Sequence, residues 1–359
     1  MKIFKSLLSL CAVLGLLVTL TGCPNSAHME EQAGTKKDPK GMVYYTFFDT
    51  VSYIYSYADD SQEEFEQNCE EVSAILEEYH ALFDIYYEHS GVNNLRTINQ
   101  NAGQAPIPVD AKLIDFLLYA KELYVTTNGE MNVMMGSVLK LWHDCREAAS
   151  TSPESAAIPS HDALVKANAH TDISLLEIDT DNNTVRISDP EARIDVGALG
   201  KGYATEKAAQ HLKAKGVDSY VLNIGGNIRI IGHKADGSGW GTGIKNPQDT
   251  AQYAYKISIA DTSCVTSGDY ERFFTVDGEK YHHVIDKDTL MPARYFSSVT
   301  IITEDSALAD ALSTALFSMS YEDGAALVAR IGNVDVLWIT PDGTQYKTPG
   351  FEALTLQES

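Results

Sequence analysis

Three stretches of the chain carry residue types and spacings suited to chemistry. The first, Asp195-Val196-Gly197-Ala198-Leu199-Gly200-Lys201-Gly202, joins an expected strand to an expected helix. Glycines there let the backbone approach a ligand, the free N–H groups of a helix start attract an anion, and Lys201 adds a mobile positive charge. Its spacing is neither that of a Walker loop nor that of a Rossmann fingerprint. Such a turn also has a purely structural use, with Asp195 as a cap. The second stretch places Asp310 and Thr314 four residues apart in an apolar run. On a helix they share one face and offer hard oxygens of the kind that hold Mg²⁺ alongside water and phosphate. The alternative is a Thr back-bonded to its own helix beside a buried Asp, which is costly unless paired. In the third, Thr266-Ser267-Gly268-Asp269-Tyr270-Glu271-Arg272 is followed by Tyr281-His282-His283-Val284-Ile285-Asp286. Alternating strand residues beside a turn present a His and an Asp together, and His is the natural proton acceptor near neutral pH. No further His or Cys stands at zinc-ligand spacing. Gly225-Gly226-Asn227 reads as a tight turn.

The elements that must position these residues follow from periodicity and caps. Tyr44 to Tyr57 alternate as a strand or hairpin. Ser61 and Glu64 form a capping box ahead of Phe65, Cys69, Val72, Leu76, Tyr79 and Phe83 at helical spacing. A second helix starts near Asp110 and stops at Asn128-Gly129. Ala148 to Ser160 reads as a surface loop. Strands are expected at 176–178 and 184–188, then a helix over 202–215 closed by Gly216. Further strands fit 220–224, 228–231 and 253–259, helices fit 306–319 and 322–331, and residues 334–340 form a closing hairpin with the last residues. There is no internal repeat. Without strict βαβ alternation, one large mixed α+β unit is expected rather than a doubly wound sheet.

With 27 Lys+Arg against 50 Asp+Glu in 359 residues, the net charge is −23. That argues against nucleic acid and anionic lipid headgroups as general partners. An anionic ligand would need a strong local counter-charge. Lys2 and Lys5 precede an apolar run from Leu7 to Leu20 that is short for a membrane span and reads as a signal peptide over 1–22. Leu20-Thr21-Gly22-Cys23 resembles the lipobox of bacterial lipoproteins. That resemblance implies lipidation at Cys23, a tether over 23–42 and an extracytoplasmic protein held at the cell membrane by its lipid. An ordinary signal peptide with a chance Cys is the alternative. Cys69, Cys145 and Cys264 remain, an odd number that reads as buried small apolar residues.

The order DVGALGKGYATE, VLNIGGNIRI, TSGDYERFF, YHHVID, ADALSTALF resembles that of the ApbE family, the FAD:protein FMN transferases, over nearly all of 43–359. The resemblance implies a T-fold-like α+β domain with a mostly antiparallel sheet and packed helices. It implies FAD as substrate, Mg²⁺ as cofactor, and transfer of FMN to a Thr of an exported or membrane-bound redox protein, with AMP released. By position, Asp195 and Lys201 match flavin-nucleotide contacts, and the Ala198 carbonyl, Asp310 and Thr314 match magnesium ligands. His283 matches the family histidine better than His282 does, and it would accept the proton directly or through Asp269 or water. Val284 or Ile285 would pack on the flavin. Phe48-Asp49-Thr50 takes the place of a Met-Gly-Thr, and Tyr86 that of a flavin-contacting aromatic. Glu130-Met131-Asn132 stands where relatives often have Ala-Phe-Asp, Asn227 follows the Gly-Gly where an Asp is common, and Ser313 replaces an Asp of some relatives. Two other functions fit the same residues: an FAD pyrophosphatase releasing FMN and AMP, and a lipoprotein that binds flavin without chemistry. Mn²⁺ accepts the same oxygen ligands as Mg²⁺.

Overall fold

The aromatic alternation at the start of the domain folds as a hairpin. Strand β1 (Lys40–Tyr44) pairs antiparallel with β2 (Ser52–Ser56), Met42 opposite Ile54. The structure, a computed structural model, describes residues 39–356 apart from Ala235. The signal peptide, Cys23 and the tether as far as residue 38 lie outside the described residues; β1 begins at Lys40, inside the stretch read as tether. All described residues belong to one compact unit, Asp38–Ser359.

Helix α1 (Gln62–Phe83) starts with the expected reciprocal capping box, and the predicted apolar positions are its buried face. Then come α2 (Leu95–Gln100), β3 (Ile107–Pro108) and α3 (Ala111–Thr126), the last capped by Asp110 as expected. Helix α4 (Gly136–Thr151) occupies a stretch for which no element was expected. It carries Ala148 to Thr151, so the predicted loop over 148–160 begins only after it. The reason is at its start: Met135 is the N-cap and makes no side-chain bond, so the usual sequence signal is missing. Short α5 (His161–Asn168) is capped by Ser160. Strands β4 (Leu176–Asp179) and β5 (Thr184–Ile187) join β3 in a small sheet.

Helix α6 (Gly200–Ala214) leads to β6 (Tyr220–Ile224), β7 (Asn227–Ile231), the twin ribbon β8 (Trp240–Asn246) and β9 (Asp249–Ile259), and β10 (Ser263–Gly268). A small hairpin of β11 (Phe274–Val276) and β12 (Glu279–Tyr281) precedes β13 (Ser298–Thr303), which is buried at every residue. Then follow α7 (Ser306–Phe317), α8 (Tyr321–Ile331), β14 (Asp335–Ile339) and β15 (Gln345–Lys347). The last residues were expected to complete the hairpin. Instead β15 alone does so, and α9 (Pro349–Leu354) folds after it with Phe351 fully buried.

The main sheet has eight strands in the order β1-β2-β6-β7-β10-β13-β14-β15, all paired antiparallel. On α7, Leu312, Leu316 and Phe317 are buried with Val299 and Ile301 of β13 and Trp338 of β14. Full burial of such side chains contributes roughly 1.5–3 kcal/mol each, which seats α7 firmly on the sheet. Helix α6 joins the larger core of α1 and α3 through Ala204, Ala208 and Leu212. Arg229 of β7, 1% exposed, pairs with Glu206 of α6 at 3.1 Å, and Glu206 also accepts the Ser306 N–H at the start of α7. One buried carboxylate thereby ties α6, β7 and α7 together.

Candidate functional site

The glycines of the first motif bring α6 and α7 into contact. A Cβ on Gly202 would lie 2.4 Å from both the Ser306 carbonyl and the Asp310 Cβ. The Gly202 N–H, one of those left without an intrahelical partner in the first turn of α6, donates to Asp310 Oδ2 at 2.8 Å. Asp310 is 5% exposed, and Lys201 Nζ stands 3.8 Å from the same oxygen. Thr314 lies one helical turn further along α7. Asp310, Thr314, Ala198 and Lys201 all line one cavity of about 240 Å³. Asp195 lines it too: its Oδ1 accepts the Gly197 N–H at 2.9 Å, and burial pushes its carboxyl up from the ordinary carboxylate range.

Opposite stands the segment after β10. His282 and His283 are neighbours with different fates. His282, 3% exposed, has Nε2 2.8 Å from the Ala293 carbonyl, and its Nδ1 accepts the Val284 N–H. Both of its nitrogens are used inside the fold. His283 Nδ1 is buried without a partner, on the cavity wall with Val284 and Ile285. Burial, then the charges of Arg272, His282, Lys201 and Arg146, bring the His283 pKa down to about 3, so the imidazole is neutral at pH 7. Asn227 Nδ2 is a second orphaned donor on the same wall, while its Oδ1 accepts from Ser306 Oγ at 3.0 Å. Buried polar atoms left without partners mark where a ligand supplies them.

Tyr86, Glu130, Met131 and Asn132 complete the lining. Glu130 is paired with Lys287 at 3.2 Å, and burial raises its pKa. The Asn132 amide is spent on the backbone: Nδ2 donates to the Thr171 carbonyl and Oδ1 accepts the Met134 N–H. Two expected site residues stand apart from this lining. Phe48 lines an adjoining cavity of about 420 Å³, where its N–H donates to His80 Nδ1. Asp269 lines neither cavity; it accepts from Ser297 Oγ at 3.1 Å and faces Lys280 Nζ at 3.4 Å. Thr50 packs against Gly225, where a Cβ would come within 2.4 Å, so the Phe48-Asp49-Thr50 loop abuts the Gly225-Gly226-Asn227 turn.

Arg146, His143 and Arg272 were not assigned from sequence, yet they line both cavities together with Tyr86, Asp195 and Lys201. Arg146 Nη2 is 3.0 Å from His143 Nδ1, and the His143 ring packs on Tyr86. The available signal was His143 and Arg146 three apart on one helix face, which was hidden because α4 itself was not expected. With Lys201 these arginines supply the local positive field that an anionic ligand needs against a net charge of −23. The donors brought together by Ala198, Asp310 and Thr314 are all oxygens, which fits a hard divalent cation. Among the described residues, His80, Asp84 and His89 also cluster. Asp84 there is already bonded by the Tyr86 and Tyr87 N–H groups and by His89.

A family model described as the ApbE family matches residues 48–338. A protein of Treponema pallidum (strain Nichols) named FAD:protein FMN transferase is 35% identical over 288 residues, covering 76% of this chain and 77% of that protein. One of the same name from Vibrio cholerae is 31% identical, covering 79% of this chain and 83% of its own. Among solved structures, the ApbE protein of Thermotoga maritima superposes with a TM-score of 0.77 at 27% identity, over 89% of this chain and all of that one. The flavin transferase ApbE from Vibrio cholerae gives 0.73 at 27%, over 88% and 100%. The α+β architecture and the sequence agree, and the chain belongs to the ApbE family.

Proposed function

We propose that this protein transfers FMN from FAD to a threonine side chain of an acceptor protein, releasing AMP. The relatives' shared name supports the reaction class. The observation that carries it is His283, whose ring has an unpartnered Nδ1 and which lines the same cavity as Lys201, Asp310 and Thr314. The threonine Oγ forms a bond to the phosphorus attached to riboflavin while the bond from that phosphorus to the AMP oxygen breaks. The His283 imidazole takes the hydroxyl proton. Its neutrality makes it ready to accept, and an incoming diphosphate offsets the cations around it and raises its basicity. A route through Asp269 has no support in its position. Lys201 offsets charge on the departing AMP. Asp310, Thr314 and the Ala198 carbonyl would hold Mg²⁺, which when bound supplies further positive charge against the diphosphate.

The test is incubation of the purified protein with FAD, Mg²⁺ and an acceptor protein modified by one of the relatives, followed by mass analysis. A gain of FMN on threonine with equimolar AMP is expected; its absence overturns the proposal. Free FMN and AMP without acceptor would mark a pyrophosphatase instead, and bound, unprocessed FAD a binding protein. EDTA should weaken FAD binding, because the ligand and the protein are both anionic; unchanged affinity removes the cation from binding. We further propose a lipid anchor at Cys23 on the extracytoplasmic face of the membrane, with a membrane redox protein as acceptor. Cys23→Ser should then move the protein from the membrane to the soluble fraction.

A further inference from the structure

Arg272 is placed as ligand-binding residues are, and its surroundings do not explain it. It lies on the connection between β10 and β11 with φ +46°, a left-handed conformation uncommon for a long side chain and concentrated at functional sites. Its neighbours hold the connection in place. Tyr270 folds over Gly268, where a Cβ would come within 2.4 Å of the ring, and the Lys280 ammonium stands 4.6 Å over the Phe273 ring. Nearby cations are engaged: Lys287 with Glu130, Lys280 with Asp269, Arg294 with Glu279, Arg146 with His143 and Glu147. Among the described residues, no carboxylate lies within 4.0 Å of Arg272, in a chain with 50 acidic groups. It lines both cavities, at the wall they share.

We propose that Arg272 grips the phosphoryl group being transferred, its planar guanidinium bridging the diphosphate of FAD at the junction of the two cavities. The proposal rests on the FMN-transfer reading above and adds a residue to it. A guanidinium presents paired N–H donors that match phosphate oxygens, which an ammonium cannot reproduce. Charge redistributes over those oxygens as the bond to AMP breaks, so the contact tightens in the transition state. Arg272 and His283 line the same cavity, and the Arg272 charge helps to lower the His283 pKa, so it acts on both the phosphorus and the proton acceptor.

The experiment compares wild type with Arg272→Gln and Arg272→Lys, measuring FAD affinity by flavin fluorescence, kcat/KM for FMN transfer across pH, and thermal stability. For Arg272→Gln, kcat/KM should fall about 10²–10³-fold with FAD affinity lowered about tenfold or more and the melting temperature retained. Arg272→Lys should recover only part of that loss, since the point charge returns without the fork. The acid limb of kcat/KM should move to higher pH in Arg272→Gln, because a cation beside His283 has gone; a purely structural role would not move it. Unchanged FAD affinity and turnover in Arg272→Gln overturn the proposal, as does a loss fully matched by unfolding in both variants. If wild type itself binds FAD and transfers nothing, the FMN-transfer reading fails, and the affinity comparison still judges the Arg272 contact.

Discussion

The two walls of the cavity are built in opposite ways. One is helix against helix: the first turn of α6 meets α7 at Gly202, and its Lys201 and Gly202 reach Asp310 through a salt bridge and a backbone hydrogen bond. The other runs through the segment after β10, short β11 and β12, and the turn that holds His282 and His283. In the first wall, close packing fixes the chemistry, and there is little freedom to rearrange. In the second, hydrogen bonds hold some side chains and leave others free, as adjacent His282 and His283 show. Rigid placement of oxygen donors and a reserve of unpartnered groups are thereby divided between the walls.

The contrast breaks most sharply at the helix contact. Gly202→Val puts a branched side chain where a Cβ alone meets backbone at 2.4 Å. We expect activity to fall more than 10³-fold and stability by about 1–3 kcal/mol, the usual range for overpacking. Full activity with a normal melting temperature would show that the helices do not meet so closely. Asp310→Ala leaves the packing room intact and removes the carboxylate. Turnover should drop about 10²–10³-fold and FAD affinity much less; equal turnover would take Asp310 out of the site.

On the loop wall the two histidines give the matching pair. His283→Gln should lower kcat about 10²–10³-fold with little change in melting temperature, as for loss of a general base. His282→Gln should do the reverse. It breaks contacts to Ala293 and Val284 and the edge-to-face contact with Phe317. That costs about 1–3 kcal/mol of stability, with turnover within tenfold of wild type. Parallel losses in both variants would erase the distinction between them.

The sequence showed the first wall more fully than the second. Asp195 to Gly202 and the Asp310/Thr314 pair are local patterns whose spacing states their chemistry. Their contact was not legible, because Gly202 and Asp310 lie far apart in the chain and only the fold makes the glycine necessary. Helix α4 was missed for want of a capping side chain at Met135, and the placement of Arg146 and His143 was lost with it. Asn132 stands where relatives often have an Asp; its amide is a backbone brace, a role no spacing reveals. Arg272 stood inside a motif that was read for its Asp and His. Its positive φ and lack of an acidic partner exist only in three dimensions.

Acid should sharpen the difference between the histidines and the rest of the fold. His283 has a pKa near 3 in the native protein, lowered chiefly by burial, against about 6.5 in an unfolded chain. Between those values the unfolded state binds more protons, so stability falls as pH drops and is fully present only above about 6.5. Replacing His283 by Gln removes that dependence while leaving paired carboxylates such as Glu71, held at about 2 chiefly by Lys215 and then by His211, to act alike in both proteins. Denaturant melts at pH 7 and pH 5 should therefore show wild type losing about 2 kcal/mol more than His283→Gln. Equal losses would mean that His283 is already solvated and able to protonate in the native state. The unpartnered nitrogen would then no longer set the loop wall apart from the helix wall.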